Sequence, residues 1–234
     1  MNYIAIGDWP RREHFAFFQE RRNPCLCITA RVDAGGLLAF RKRLGRNRPR
    51  FTDCVYYAVM KAANAIPEFR MRLVDRQPAL FERVDAAFTY VPKGRELHAN
   101  CLAAYDEAFP VFMKNVQEAR EEADARPTLT PPGGESQGLV YLSCLPDIDF
   151  TSASNPWGDP WTDTVPRVLA GKADPASGMM PVSVEALHSF VDGRHAAAFF
   201  KGLSMVLAEA FSFAGAEKGG RPSPEGPRGA LTGP

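Results

Sequence analysis

Near the C-terminal end, the stretch "MPVSVEALHSFVDGRHAAAFFKGLSMVLAEAF" changes its hydrophobic period from two to 3.6 across a single Asp-Gly pair. Val182, Val184 and Ala186 share one side of an alternating run, which predicts a strand carrying the chain up to His188. Beyond Asp192-Gly193, Phe199, Leu203, Val206, Leu207 and Ala210 fall at helical spacing and form one apolar stripe. A strand that turns directly into such a helix has to share a core with it, so the fold must contain a sheet with helices laid on it.

The other segments fit that frame in a mixed order. Residues 24 to 34 read as a strand, 37 to 44 as a short helix, and 51 to 66 as a second helix with Thr52 or Asp53 as N-cap and Pro67 just past its end. Residues 68 to 74, 79 to 83 and 86 to 91 look like a meander of antiparallel strands. Residues 96 to 125 have helical composition with a break at Pro110, 138 to 145 read as a buried strand, and "NPWGDPW" should be irregular. Because strands and helices do not alternate, a doubly wound nucleotide fold is disfavoured, and neither G-x-G-x-x-G nor a P-loop is present. The expected class is α+β: a two-layer sandwich of a mixed, largely antiparallel sheet covered by helices. A single domain is expected over residues 1 to 215, followed by a disordered Gly/Pro-rich tail over 216 to 234.

Composition excludes several functions. The 28 basic and 27 acidic residues nearly cancel, so no general field steers the protein to nucleic acid or an anionic membrane. The run "RKRLGRNRPR" (41 to 50) has no interleaved aromatics for base stacking and reads as a solvated face. No segment approaches the roughly 18 apolar residues of a membrane span, and the N-terminus lacks a signal-peptide pattern; a soluble, cytoplasmic protein is expected. Cys25, Cys27, Cys54, Cys101 and Cys144 are scattered and odd in number, which fits reduced thiols. Cys25-x-Cys27 has no second pair at zinc spacing, and His14, His98 and His195 supply no third ligand near His188, so no metal is expected.

His188 admits three readings: a packed residue, a metal ligand or a general base. Gly193 permits a tight turn after it, Asp192 can lock that turn, and the following helix fixes it from the far side. A neutral imidazole, with an ordinary pKa of about 6.5, can take a proton from an attacking hydroxyl near neutral pH. Cys144 invites a cysteine-hydrolase reading with His188 as its base. On a strand, however, Cys144 and Ser143 point to opposite faces. Ser143 by itself reads more readily as a small buried residue whose hydroxyl bonds a neighbouring carbonyl.

The segment His188-Ser189-Phe190-Val191-Asp192-Gly193 resembles the second half of the His-His-x-x-x-Asp-Gly signature of the chloramphenicol acetyltransferase family, related to the acyltransferase core of 2-oxo acid dehydrogenases. "DWPRREHFAFF" is similar to that family's Trp-x-Arg-x-x-x-Phe segment, and "NAIPEFRMRLVD" to its Asn-x-x-Pro-Glu-Phe-Arg-Met-Arg segment. The likeness runs from Asp8 to Phe213. It implies a chloramphenicol acetyltransferase-like fold and a homotrimer with active sites between subunits. It also implies direct acetyl transfer from acetyl-coenzyme A to a hydroxyl of a small molecule, without an acyl-enzyme. His188 matches the general base, Asp192 the carboxylate that holds the catalytic loop, Arg11 its salt-bridge partner (the Trp9-x-Arg11 spacing favours it over Arg12), and Ser143 the oxyanion donor. Arg50 and Lys172 match positions near the coenzyme.

The departures matter too. Leu187 replaces the first His of the doublet. The family's Ser-Ala-Asn-Pro-Trp becomes Ser143-Cys144-Leu145-Pro146-Asp147, with a separate Asn155-Pro156-Trp157; a rival alignment makes Ser152 or Ser154 the donor, but Tyr141, Leu142, Phe150, Thr151 and Ser152 favour Ser143. Where the family's acceptor pocket is aromatic, this chain has Leu26 or Cys27 and His98. Those residues motivate a second reading, a biosynthetic acyltransferase with another acyl donor or acceptor. A third is a coenzyme A-binding trimer without catalysis.

Overall fold

The computed structural model describes residues 1–214; the tail expected over 216–234 lies outside them. In chain order the principal elements are β1 (Asn2–Tyr3), α1 (Arg12–Gln19), β2 (Cys25–Asp33), α2 (Gly35–Leu44), α3 (Phe51–Asn64), β3 (Met71–Val74), β4 (Gln77–Leu80), β5 (Asp85–Tyr90), β6 (Ala99–Ala103), α4 (Phe109–Ala125), β7 (Leu139–Cys144), β8 (Arg167–Ala170), β9 (Met179–Leu187) and α5 (Gly193–Ala208). Six strands form a mixed sheet in the order β2-β9-β8-β7-β5-β6, and β1, β4 and β3 form a separate small sheet. In the large sheet β7 runs parallel to both β5 and β8, and the other pairings are antiparallel.

Helices α3 and α5 pack on each other; α3 lies against β5 and β7, α5 against β2, and α4 against β6. One alternating set of strand side chains, including Phe88, Val140, Leu142, Val168, Val182 and Val184, joins them in a single core. Burying each large apolar side chain contributes about 2 kcal/mol, and Phe199, wholly buried, stacks on Phe69 at 5.0 Å. The opposite alternation, with Ala87, Tyr141 and Leu102, forms its own small cluster on the other face. This is the α+β, two-layer arrangement expected. Gly36 lets α2 approach the end of α5: a Cβ there would stand 2.6 Å from the Leu207 and Ala208 carbonyl oxygens.

The structure corrects several local expectations. The stretch 96 to 125 is a strand and a helix rather than one broken helix: Ala99, Cys101 and Ala103 are buried alternately on β6. Pairing with β5 overrides their helical propensity. Pro110 does not break α4 but occupies its first turn, where a missing N–H costs nothing. The predicted meander is divided between two sheets. Its first two strands, β3 and β4, form a hairpin through Asp75 and Arg76 at φ 51° and 63°, whereas β5 joins the large sheet. Neither Thr52 nor Asp53 caps α3, which starts at Phe51 without a side-chain cap. Strand β8 and helix α1 have no counterpart in the sequence reading.

Candidate active site

Strand β9 ends at Leu187, paired with Cys25, and the His188 N–H adds one further bond to the Pro24 carbonyl at 2.7 Å. The chain then closes a turn, with the Phe190 and Val191 N–H groups donating to the Leu187 carbonyl at 3.0 and 2.9 Å. Asp192 begins α5 as its N-cap: its carboxylate accepts from the Arg194 N–H, while its own N–H donates to His195 Nδ1 at 3.1 Å. Here His195 fills the place that Glu or Gln usually takes in a capping box.

Helix α1 straps this turn from outside. Arg11 donates from Nη1 to Asp192 Oδ2 at 2.9 Å, from Nη2 to the His188 carbonyl at 3.1 Å and from Nε to the Ser189 carbonyl at 3.2 Å. One guanidinium thus holds a carboxylate and two successive carbonyls, which fixes the backbone carrying the imidazole. Ser189 Oγ donates to Gln19 Oε1 at 2.9 Å, and the Phe18 ring stacks on His188 with centroids 3.9 Å apart and planes 9° apart. His188 Nδ1 is buried without a hydrogen-bond partner among the described residues, so proton transfer with a substrate falls to Nε2. For Nε2 to accept a proton, Nδ1 must carry the ring's own. Partial burial works to raise the Asp192 carboxyl, but Arg11 and His195 outweigh it and hold the group below the ordinary carboxylate range. Leu187, in place of the first His of the doublet, is buried in the core.

Ser143 stands on β7, where its Oγ lies 3.0 Å from Thr89 Oγ1 on the neighbouring β5. Both line a cavity of about 750 Å³ together with His98, Asn100, Tyr141 and Arg167. Neither Ser152 nor Ser154 lines it. Cys144 packs against the core on the other face, and burial pushes its thiol up to about 12. That removes the cysteine-hydrolase reading, because the sulfur is turned into the core, away from the cavity that Ser143 lines. The irregular segment after Ser143 is pinned by Glu185, a buried carboxylate that accepts from the Asn155 N–H at 2.9 Å and from Trp157 Nε1 at 2.8 Å. Arg167 lies over the Trp157 ring at 3.7 Å and is neutralised by Asp163 at 2.6 Å.

The predicted residues therefore gather in two places. Arg11, His188 and Asp192 form one cluster; Ser143 and His98 share the cavity. Ser143 pairs with Leu169, Leu169 with Ser183, and His188 follows five residues beyond Ser183 on the chain. At about 3.3 Å rise per residue and about 4.8 Å between strands, His188 and Ser143 stand roughly 15–20 Å apart within one chain. Cys27 lies on the Ser183 side of β2, its Sγ 3.6 Å from Ser183 Oγ and 3.3 Å from the Ala153 carbonyl, whereas Leu26 pairs with core residue Ala186. Arg50 is exposed just before α3, its guanidinium 6.0 Å from the Tyr90 ring centroid; Lys172 is exposed just after β8. Among the described residues no three His, Cys, Asp or Glu side chains converge as metal ligands. The sequence reading missed Phe18, Gln19 and Thr89. For Phe18 the only signal was an aromatic-rich segment near Arg11.

A family model described as Chloramphenicol acetyltransferase matches residues 1–204. Chloramphenicol acetyltransferase 2 of Haemophilus influenzae is 28% identical over 210 residues, covering 88% of this chain and 97% of its own length. A solved structure described as chloramphenicol acetyltransferase superposes with a TM-score of 0.80 at 30% identity, over 88% of this chain and all of that one (100%). The cubic core of the pyruvate dehydrogenase multienzyme complex shares the fold, with a TM-score of 0.61 at 18% identity over 85% of this chain and 88% of that one.

Proposed function

Because the chain belongs to the chloramphenicol acetyltransferase family, we propose that this acetyltransferase moves the acetyl group of acetyl-coenzyme A directly onto a hydroxyl of a small acceptor, chloramphenicol among them. Residues 1 to 215 act as one acyltransferase domain, the protein works in the cytoplasm as a homotrimer, and each site lies between subunits. The observation that carries this reading is the strapped turn: Arg11 bonded to Asp192 and to the carbonyls of His188 and Ser189.

In that site the acceptor hydroxyl attacks the thioester carbonyl while His188 Nε2 takes its proton. The carbonyl oxygen becomes an oxyanion, and Ser143 Oγ–H donates to it. When the tetrahedral species collapses, the C–S bond breaks and the coenzyme thiolate takes the proton back from His188. One oxyanion donor contributes about 3 kcal/mol, or a hundredfold or more in rate. Separation of His188 from Ser143 within one chain supports a site completed by a second copy. Arg50 and Lys172 are exposed and able to meet the coenzyme phosphates; Cys27, Leu26 and His98 belong to the acceptor side.

A second reading keeps this chemistry but changes the acceptor or the acyl donor, and it is favoured by the polar lining His98, Asn100 and Thr89 beside Ser143. Incubation with acetyl-coenzyme A and chloramphenicol, following thiol release with His188→Ala alongside, separates the two. Fast release that depends on His188 supports the antibiotic as acceptor. Absence of release, with acetyl transfer to other hydroxyl compounds, supports the second reading, and release unaffected by His188→Ala defeats both.

A further inference from the structure

We propose that Thr89 is a positioning residue for Ser143, donating its hydroxyl proton to Ser143 Oγ so that the serine proton is left for the oxyanion; this rests on the assignment of Ser143 as oxyanion donor. The two oxygens are 3.0 Å apart, and Thr89 is the only hydrogen-bond partner of Ser143 Oγ among the described residues. A serine hydroxyl has one proton to give and two lone-pair positions to fill. Left alone it rotates among three staggered rotamers and turns its proton toward any acceptor nearby. A neighbour that donates into one lone pair removes most of that freedom.

The sheet makes Thr89 suited to the task. Strands β5 and β7 run parallel with Phe88 opposite Leu142, and Thr89 and Ser143 each follow directly after that pair, so both side chains emerge on the cavity face. Ser143's strand neighbour on the other side is Leu169, which offers no side-chain donor. Thr89 is β-branched and therefore stiff about χ1, which gives its hydroxyl a fixed direction where serine would swing. On its far side Thr89 pairs with Asn100, whose side-chain amide is committed to the Leu129 carbonyl at 2.7 Å. With Thr89 donating to Ser143, and Ser143 donating to the oxyanion, the two hydroxyls form a short chain in which each bond strengthens the next.

The test is Thr89→Val, which deletes the hydroxyl while keeping shape, measured with Thr89→Ser, Ser143→Ala and the Thr89→Val/Ser143→Ala double variant. The expected result is a fall in kcat of about five- to tenfold for Thr89→Val, the equivalent of one ordinary hydrogen bond, with KM for acetyl-coenzyme A unchanged. Thr89→Ser should recover most of the loss, and Thr89→Val should cost nothing further once Ser143 is Ala. Unchanged kcat in Thr89→Val, or the same loss in the Ser143→Ala background, overturns the proposal while leaving Ser143 in its role. If Ser143→Ala itself keeps full kcat, the oxyanion assignment fails and the proposal with it.

Discussion

Asp192 shows how a single residue ties local backbone chemistry to a site. Its carboxylate caps α5 and binds Arg11, while its N–H is bonded to His195. Since its folded pKa is depressed, its contribution is fully present above the unfolded value of about 3.9 and is lost as pH falls through the folded value. The wild type should therefore hold its structure unchanged from neutral pH to about 5 and loosen only below about 4. Asp192→Asn should be less stable at neutral pH but level with the wild type in acid. Circular dichroism against pH in both proteins checks this; equal curves at neutral pH would show that the carboxylate holds nothing. Asp192, His188 and Arg11 were legible in the sequence because each lies in a short ordered motif. Thr89 and Phe18 were not, because their roles depend on which strand lies beside which and on where α1 comes to rest.

At the scale of elements, the Asp53–Arg120 pair joins α3 to α4. It is buried at both ends, and Arg120 also lies 5.4 Å from the ring centroids of Phe88 and Tyr90. The sequence offers Asp53, or Thr52, as a cap for α3; packing uses Asp53 instead to neutralise an arginine brought in from a helix far along the chain. Removing one partner strands a buried charge, so Asp53→Ala should cost about 3–5 kcal/mol in denaturant unfolding. Replacing both partners by apolar residues should recover much of that loss, and a cost below about 1 kcal/mol for the single change would mean that water reaches the arginine. The long periodic helices were readable because an apolar stripe of three or four turns leaves little ambiguity. Strand β6 was hidden because its buried positions are Ala99, Cys101 and Ala103, small residues whose pattern looks helical until β5 pairs with them.

For the whole molecule, the distance between His188 and Ser143 makes a prediction that no single-chain property can mimic. His188→Ala and Ser143→Ala should each be nearly inactive, yet when the two are co-refolded some interfaces will combine an intact His188 from one copy with an intact Ser143 from the next. Random assembly of cyclic trimers from equal amounts predicts about a quarter of wild-type activity. Recovery near that level, with a trimer by sedimentation, supports shared sites; no recovery from well-folded mixed trimers refutes them. The fold class was legible because the order of strand-like and helix-like segments admits few layered solutions. The assignment of strands to two sheets was not, since β3, β4 and β5 carry the same local signals and are sorted only by their partners.

The strand order also sets a timetable for synthesis. Among the described residues strand β2 has one neighbour in the large sheet, and that neighbour is β9, which is made after the other described strands. Translation at about 5–20 residues per second keeps β2 waiting for many seconds. A chain stopped before Met179 therefore lacks the strand that joins β2 to β8, an interior strand rather than an edge. Such a product leaves β2 without its partner and the β8 edge bare, so quality control in the cell would meet it as unpaired strand edges.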